Sequence, residues 1–274
     1  MEDLRERIFS QVADRIVRAA ILAEDGGIIA GTRAVKEEAH KLGLSLEEII
    51  AEGGQVEKGD VIARFSGSPK QIAMAEEILM GVMAKASGIA TAAHRATRMA
   101  GGRPKIVCGA WKKMPPVLKE MLRQAVTLGG AAYSLSSDPF VYLDKNYIEV
   151  LGGIRESLTA VRDLEGHRKV IQLKGKSKEI VSEAEEAVVA GADIVFIDTG
   201  RPKDVKTVMD RLVRLGVRGR IEVAFAGGVK IEDIPKLKAL DVDYLCIGRE
   251  ILDAPLLDMK MEVMDTDGAR GGRS

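Results

Sequence analysis

The sequence predicts an α/β protein built in two parts, and three observations carry that expectation. From Val17 to Gly67 short apolar runs alternate with glycine-rich turns, the pattern of a compact α+β unit. From about Ser68 to Ala100 apolar residues recur at helical spacing. From Lys105 onward short runs rich in Val, Ile and aromatics alternate with helical stretches, which implies right-handed βαβ units numerous enough for most of a (β/α) barrel. An open doubly wound sheet is the alternative arrangement. A chain of 274 residues, 46% hydrophobic and 30% charged, can build one large domain or two smaller ones around buried cores.

Each element follows from local pattern. In RAAILAEDGGIIAG the Asp25-Gly26 pair between two apolar runs reads as a hairpin turn, and in IIAEGGQVEKGDVIARFSG Lys58-Gly59-Asp60 reads as another. Between them TRAVKEEAHKLG is helical. The long helix carries a stripe of Ile72, Ala75, Ile78, Leu79, Val82 and Met83, and Gly101, Gly102 and Pro104 break it, which sets the expected domain boundary. The strands expected beyond it are KIVCGA, FVYL, KVIQL, DIVFID, IEVAFAG and DYLCIG. In SKEIVSEAEEAVVAG the residues Ile180, Val181, Ala184, Ala187 and Val188 form one apolar stripe, with Ser177 as N-cap and Gly191 as C-cap. In PKDVKTVMDRLVRLG the stripe is Val205, Val208, Leu212 and Leu215. The closing TDGARGGRS is polar and glycine-rich, and is expected to be disordered.

Composition excludes several function classes. Basic and acidic residues balance at 41 each, so no global field is expected to hold a nucleic-acid backbone or an anionic membrane, and any anion site must be local. Cys108 and Cys246 sit in apolar segments with no CxxC or Cys/His cluster, so neither a disulfide framework nor a metal site is expected, and a reducing, cytoplasmic location fits. MEDLRERIFS is charged where a signal peptide needs an apolar stretch, and no apolar run reaches the ~18 residues of a membrane span. His40, His94 and His167 lie in helices or flanking loops, not at strand ends. No GxSxG, HExxH, Walker loop or GxGxxG is present.

Barrel ligands bind at the carboxyl ends of the strands, so residues just after each apolar run are the candidates. After KIVCG, Lys112 and Lys113 place adjacent cations on a loop stiffened by Pro115 and Pro116, suited to a phosphate or carboxylate; a solvated basic loop is the other reading. Asp198 ends a buried strand, where its carboxylate accepts from sugar hydroxyls, holds a metal, or caps the following helix. AFAGGV and CIGREI bring Gly227, Gly228, Gly248 and Arg249 to the last two strand ends. There glycine admits close backbone approach to phosphate oxygens and a helix N-terminus adds positive potential.

The run GGQVEKGDVIARFSGSPKQIAMAEEILMGVMAKASGIATAAHRAT, followed by AVTLGG, AGADIVFIDTG, AFAGGV and IGREILDAPLLDMKMEV, resembles the quinolinate phosphoribosyltransferases, also called nicotinate-nucleotide pyrophosphorylases, over nearly the whole chain. Ser87-Gly88-Ile89-Ala90-Thr91 is the most specific segment. The resemblance implies an N-terminal α/β sandwich domain over residues 1–103 with a returning segment near 256–264, an incomplete (β/α) barrel over 104–255, and a tail at 265–274. It further implies a homodimer, or a higher homo-oligomer built from dimers, in which one subunit's N-terminal domain closes the other's barrel. Phosphoribosyl pyrophosphate with Mg2+ is the implied ligand. Phosphate and ribose would lie at Ala226, Gly227, Gly228, Gly248 and Arg249, with Lys112, Lys113 and Asp198 as the catalytic set.

The acceptor half of the implied site departs from the family. An arginine contributed by the neighbouring subunit's helix is matched by Glu77, a His-Arg pair by Ser134-Leu135, a barrel lysine by Asp144, and an acid-rich strand end by Gln172 and Lys174. With Trp111 beside them these residues form an altered pocket that favours a neutral or cationic ring over a diacid, unless the acids pair with Lys112, Lys113, Lys145 or Lys174. Two functions follow: a pentosyltransferase acting on an acceptor other than quinolinate, or a catalytically degenerate relative that binds a nucleotide or sugar phosphate.

Overall fold

The computed structural model describes residues 3–266. In chain order the elements are α1 (Leu4–Ile8), β1 (Val17–Ala23), β2 (Gly27–Ile28), α2 (Thr32–Lys41), β3 (Ser45–Ile49), β4 (Gln55–Val56), β5 (Val61–Gly67), α3 (Pro69–Ala100), β6 (Lys105–Val107), α4 (Lys119–Leu128) and β7 (Phe140–Leu143). There follow α5 (Lys145–Leu151), α6 (Ile154–Ala160), β8 (Arg168–Leu173), α7 (Ile180–Val189), β9 (Ile194–Asp198), α8 (Pro202–Arg214), β10 (Glu222–Ala226), α9 (Ile234–Leu237), β11 (Tyr244–Cys246), α10 (Arg249–Leu252) and β12 (Met259–Thr266). Packing divides them into two compact units. The first takes the chain through His94, then Met114–Gly130, then Asp253 onward; the second takes Arg95–Lys113 and Ala131–Leu252.

In the first unit an antiparallel sheet of order β12-β1-β5-β3 pairs Ile21 with Met261 and Ala63. Its core joins Ile21, Val35, Ile62, Phe65, Leu79 and Met83 from sheet, α2 and α3, with Leu257 from the segment before β12. The start of α3 is written in a capping box: the Ser68 amide donates to Gln71 Oε1 at 2.7 Å, the Gln71 amide reaches Ser68 Oγ, and Pro69 takes the first helical position. Further along, Ser87 Oγ accepts the Ala30 amide at 3.0 Å and donates to the Ala30 carbonyl, while Thr91 Oγ1 accepts the Ile28 amide at 2.9 Å. Those two hydroxyls complete the backbone bonding around the two-residue strand β2.

The second unit is a six-stranded parallel sheet of order β6-β11-β10-β9-β8-β7. Strand order runs in sequence from β7 to β11 without the reversal a doubly wound sheet requires, and β11 then pairs with β6, the first strand. This is the cyclic order of a barrel with one open seam, between β6 and β7. Ala132, bridged to Val107, lies in the segment crossing that seam. Helices pack outside this sheet, with α6 and α7 on β8 and α7 against α8. The other face supplies the interior: Val107, Tyr142, Val170, Ile194, Phe196, Ala224, Tyr244 and Cys246, together with Leu135.

Several expectations are corrected. Neither glycine turn closes a hairpin: β1 pairs with β12 and β5, whereas β2 pairs with β4, so each turn carries the chain from one sheet to the other. The edge strand β3 (SLEEI), for which no strand is expected, carries no clear alternation and is largely exposed, so no apolar pattern marks it. Ser177 does not cap α7; its hydroxyl donates to Glu183 instead, and Glu179 precedes the helix. Leu215 lies past the end of α8 and is 42% exposed, and Met209 takes the place expected for it in the buried stripe. Met114–Gly130, expected within the barrel domain, packs with the first unit. Of the expected disordered tail, Asp265 and Thr266 end β12, and the remainder lies outside the described residues.

Candidate functional site

Strand alternation assembles the site. On the interior face, residues two apart along β7, β8 and β9 lead from Tyr142, Val170 and Phe196 to Asp144, Gln172 and Asp198 at the carboxyl ends. Their polar atoms form two linked clusters. Asp144 Oδ2 accepts from Lys112 Nζ at 2.6 Å, while its Oδ1 accepts the Asn146 and Tyr147 amides and so caps α5. The lysine holds the Asp144 carboxyl below the usual carboxylate range, against the opposing effect of burial. Gln172 links the clusters: its Oε1 accepts the Lys145 amide at 2.8 Å and its Nε2 donates to Asp198 Oδ2 at 2.6 Å. Lys174 Nζ donates to the same Asp198 oxygen and to the Asp198 carbonyl, each at 2.7 Å.

Three further groups were not legible as site residues. Glu183, 3% exposed, gathers the loop after β8: its Oε2 accepts the Lys174 and Gly175 amides at 2.9 and 2.8 Å, and its Oε1 accepts the Lys176 amide and Ser177 hydroxyl. An acid inside the otherwise apolar stripe of α7 was the signal for it. Tyr142 stacks edge-on against Phe196 at 5.4 Å, and its phenol is pushed up first by burial and then by the nearby Asp198, Cys246 and Asp144. Burial likewise raises the Cys246 thiol, with Asp198 adding to the effect.

At the end of β10 two loops meet. Gly200 donates its amide to the Ala226 carbonyl at 3.0 Å, and both Gly200 and Gly227 adopt positive φ, +69° and +110°. A Cβ on Gly227 would overlap the Gly200 backbone, so only glycine allows this approach. Gly228, at φ +79°, faces open space instead. Ala226 is buried in the barrel interior with its carbonyl already used. Gly248 lies against Ala110, and the exposed Arg249 opens the four-residue α10, so the helical termini expected after both strands are single short turns.

Of the remaining predicted residues, Trp111, Lys112 and Lys113 form a single 3-10 turn, with Trp111 Nε1 donating to the Tyr133 carbonyl at 2.9 Å and Lys113 exposed. Ser134 donates to the Ser136 carbonyl. Leu135 is buried in the interior cluster. Glu77 belongs to the first unit, where Arg5 binds both its oxygens at 2.8 and 2.9 Å. Every contact that assembles the Asp144–Gln172–Asp198 cluster lies within the second unit.

The profile described as the N-terminal domain of quinolinate phosphoribosyl transferase matches residues 4–87, and that of its C-terminal domain matches residues 89–262. The chain belongs to the quinolinate phosphoribosyltransferase family. Its relatives include the probable nicotinate-nucleotide pyrophosphorylase (carboxylating) of Archaeoglobus fulgidus, 29% identical over 250 residues that cover 90% of this chain and 95% of that protein. The human nicotinate-nucleotide pyrophosphorylase (carboxylating) is 24% identical over 251 residues, covering 90% and 82%. In fold, the crystal structure of the nicotinate-nucleotide pyrophosphorylase from Pyrococcus furiosus superposes with a TM-score of 0.84 at 21% identity, over 96% of this chain and 73% of that one. Membership gives the Ser87–Thr91 segment a physical meaning in this chain. Ser87 and Thr91 hold β2, and Gly88 sits so close to the Pro255 carbonyl that a Cβ there would overlap it. In this chain Ser87, Gly88 and Thr91 are thus packing residues. No helix among the described residues is long and apolar enough to cross a membrane.

Proposed function

We propose that the barrel mouth binds a phosphorylated ribose and that the chain is a phosphoribosyltransferase whose acceptor is not quinolinate. One observation carries this reading: each carboxylate at the mouth is already held by one of the protein's own lysines, Asp144 by Lys112 and Asp198 by Lys174. Quinolinate would bring two more carboxylates to a cluster whose charges already cancel, and an unpaired carboxylate removed from water costs several kcal/mol. A neutral or cationic nitrogen heterocycle meets no such penalty.

In this reading Gly227, Gly228 and Gly248 receive the 5-phosphate, with Arg249 beside them, and Asp198 faces the ribose. The ribose carbon loses its bond to pyrophosphate, which departs with the electron pair, as the ring nitrogen's lone pair forms the new bond. The chain's contribution is to hold the two partners in line, with Asp198 oriented toward the ribose. Lys112 and the exposed Lys113 supply cations for the departing pyrophosphate. Mg2+ is the metal that the resemblance implies. The donor set does not fit a protein-held divalent ion: the described residues contain no cluster of three or more His, Cys, Asp or Glu, and Asp198 is engaged by Lys174 and Gln172.

A homodimer, or an oligomer built from it, belongs to the same reading, and light scattering at micromolar concentration tests it. So does a reducing, cytoplasmic setting, which suits two buried, free cysteines. The second reading, a non-catalytic nucleotide- or sugar-phosphate-binding protein, is favoured by Lys174, which covers the carboxylate that the ribose would meet. Pyrophosphate release from phosphoribosyl pyrophosphate, assayed with quinolinate, nicotinate, nicotinamide and a cationic base, separates the cases. Turnover with a neutral or cationic acceptor is the expected result, turnover of quinolinate overturns the proposal, and binding without any turnover establishes the second reading.

A further inference from the structure

Resting on the phosphorylated-ribose reading of the mouth, we infer that Lys174 is a built-in bridging cation that joins Asp198 to the anionic ligand, in the role a divalent metal ion would otherwise fill. The lysine is anchored at both ends. Its amide, with those of Gly175 and Lys176, is bound by the buried Glu183 carboxylate, which fixes the loop after β8. Its ammonium chelates Asp198 through a carboxylate oxygen and the main-chain carbonyl, both at 2.7 Å, while Gln172 Nε2 binds that same carboxylate oxygen.

A divalent ion shared between this aspartate and a pyrophosphate would find Asp198 Oδ2 and the main-chain carbonyl already held by Lys174, with Oδ1 alone left to it. An ammonium has three donors, and Asp198 takes two, which leaves one for a ligand oxygen. The charge argument agrees: without a cation beside it, the Asp198 carboxylate would repel an approaching phosphate. Lys174 cancels that repulsion permanently, at a position set by Glu183 and not by the supply of metal.

The consequence is ligand binding that needs little metal. Titration calorimetry with phosphoribosyl pyrophosphate, in EDTA and in millimolar Mg2+, tests it on the full chain. Wild-type Kd is expected to change less than about threefold between the two conditions, whereas Lys174→Met binds about tenfold more weakly in EDTA and regains most of the loss with Mg2+. Lys178→Met, which removes a lysine paired with Glu186 outside the cluster, behaves as wild type. Circular dichroism confirms the folded state, and Lys174→Gln replaces the Met variant should that one unfold. A wild-type protein that requires Mg2+ by tenfold or more overturns the inference and leaves the phosphate reading intact, as does a Lys174 variant with unchanged metal dependence. Absence of binding in both conditions overturns the reading and the inference together.

Discussion

Asp144 serves a cap and an ion pair with separate oxygens, and the two can be separated by substitution. Asp144→Asn keeps an oxygen for the Asn146 and Tyr147 amides, since Asn is as good an N-cap as Asp, but removes the charge facing Lys112. Because the folded carboxyl titrates below its unfolded value, its contribution is fully present above the ordinary carboxylate range and is lost as pH falls through the folded value. Lys112 is 75% exposed, so solvent screening keeps the effect below about 1 kcal/mol. Urea unfolding between pH 5 and pH 2 should show a shallower loss of stability for the Asn variant than for wild type.

The paired glycines at the end of β10 separate packing from binding. Gly227→Ala forces a side chain into the Gly200 backbone at positive φ and is expected to cost about 1–3 kcal/mol in chemical denaturation. Gly228→Ala faces open space and costs about 1 kcal/mol from φ alone, so its main effect should be weaker ribose 5-phosphate binding by calorimetry. The cysteines make a complementary test. Burial pushes the Cys108 thiol up to about 12 and the Cys246 thiol higher still, so neither should react with iodoacetamide at pH 8 until the protein is unfolded.

At the scale of elements, α3 matters as much for the hydrogen bonds it donates and accepts as for its apolar stripe. β2 has two residues and pairs only with the equally short β4, too little to be stable alone. Ser87 and Thr91 make up the difference from one helix face, four residues apart. Ser87→Ala leaves the Ala30 amide buried without that partner and is predicted to cost about 1–3 kcal/mol in urea unfolding, whereas Ser87→Thr should recover part of it.

At the scale of the molecule, the first unit is closed by the chain's far end. β12 covers one edge of β1, with Ala19 opposite Val263 and Ala23 opposite Met259, and Leu257 and Met259 fill the core beside it. A chain ended at Asp258 should therefore lose amide protection first along β1, measured by hydrogen exchange; undiminished protection there would show that β12 is dispensable.

The six parallel strands are legible from residue pattern alone, because a strand buried on both faces has to be apolar throughout and its helix has to carry one stripe. So is the long helix, whose capping box, apolar spacing and terminal glycines are all local signals. Residue order further placed Lys112, Asp198 and the late glycines at strand ends, and the family resemblance added Asp144, Gln172 and Lys174. What those residues do to one another is set by the folded chain. Whether Asp144 and Asp198 stood open to a ligand or were neutralised from within depended on lysines 32 and 24 positions away in the chain, at distances set by the pairing of strands. The same holds for the turns at Asp25-Gly26 and Lys58-Gly59: each is a correct local bend, but which strand pairs with which depends on hydrogen bonds to β12 and β4, which no local pattern encodes. Propensity and periodicity act over a turn or two of chain, whereas charge pairing and strand pairing act through space.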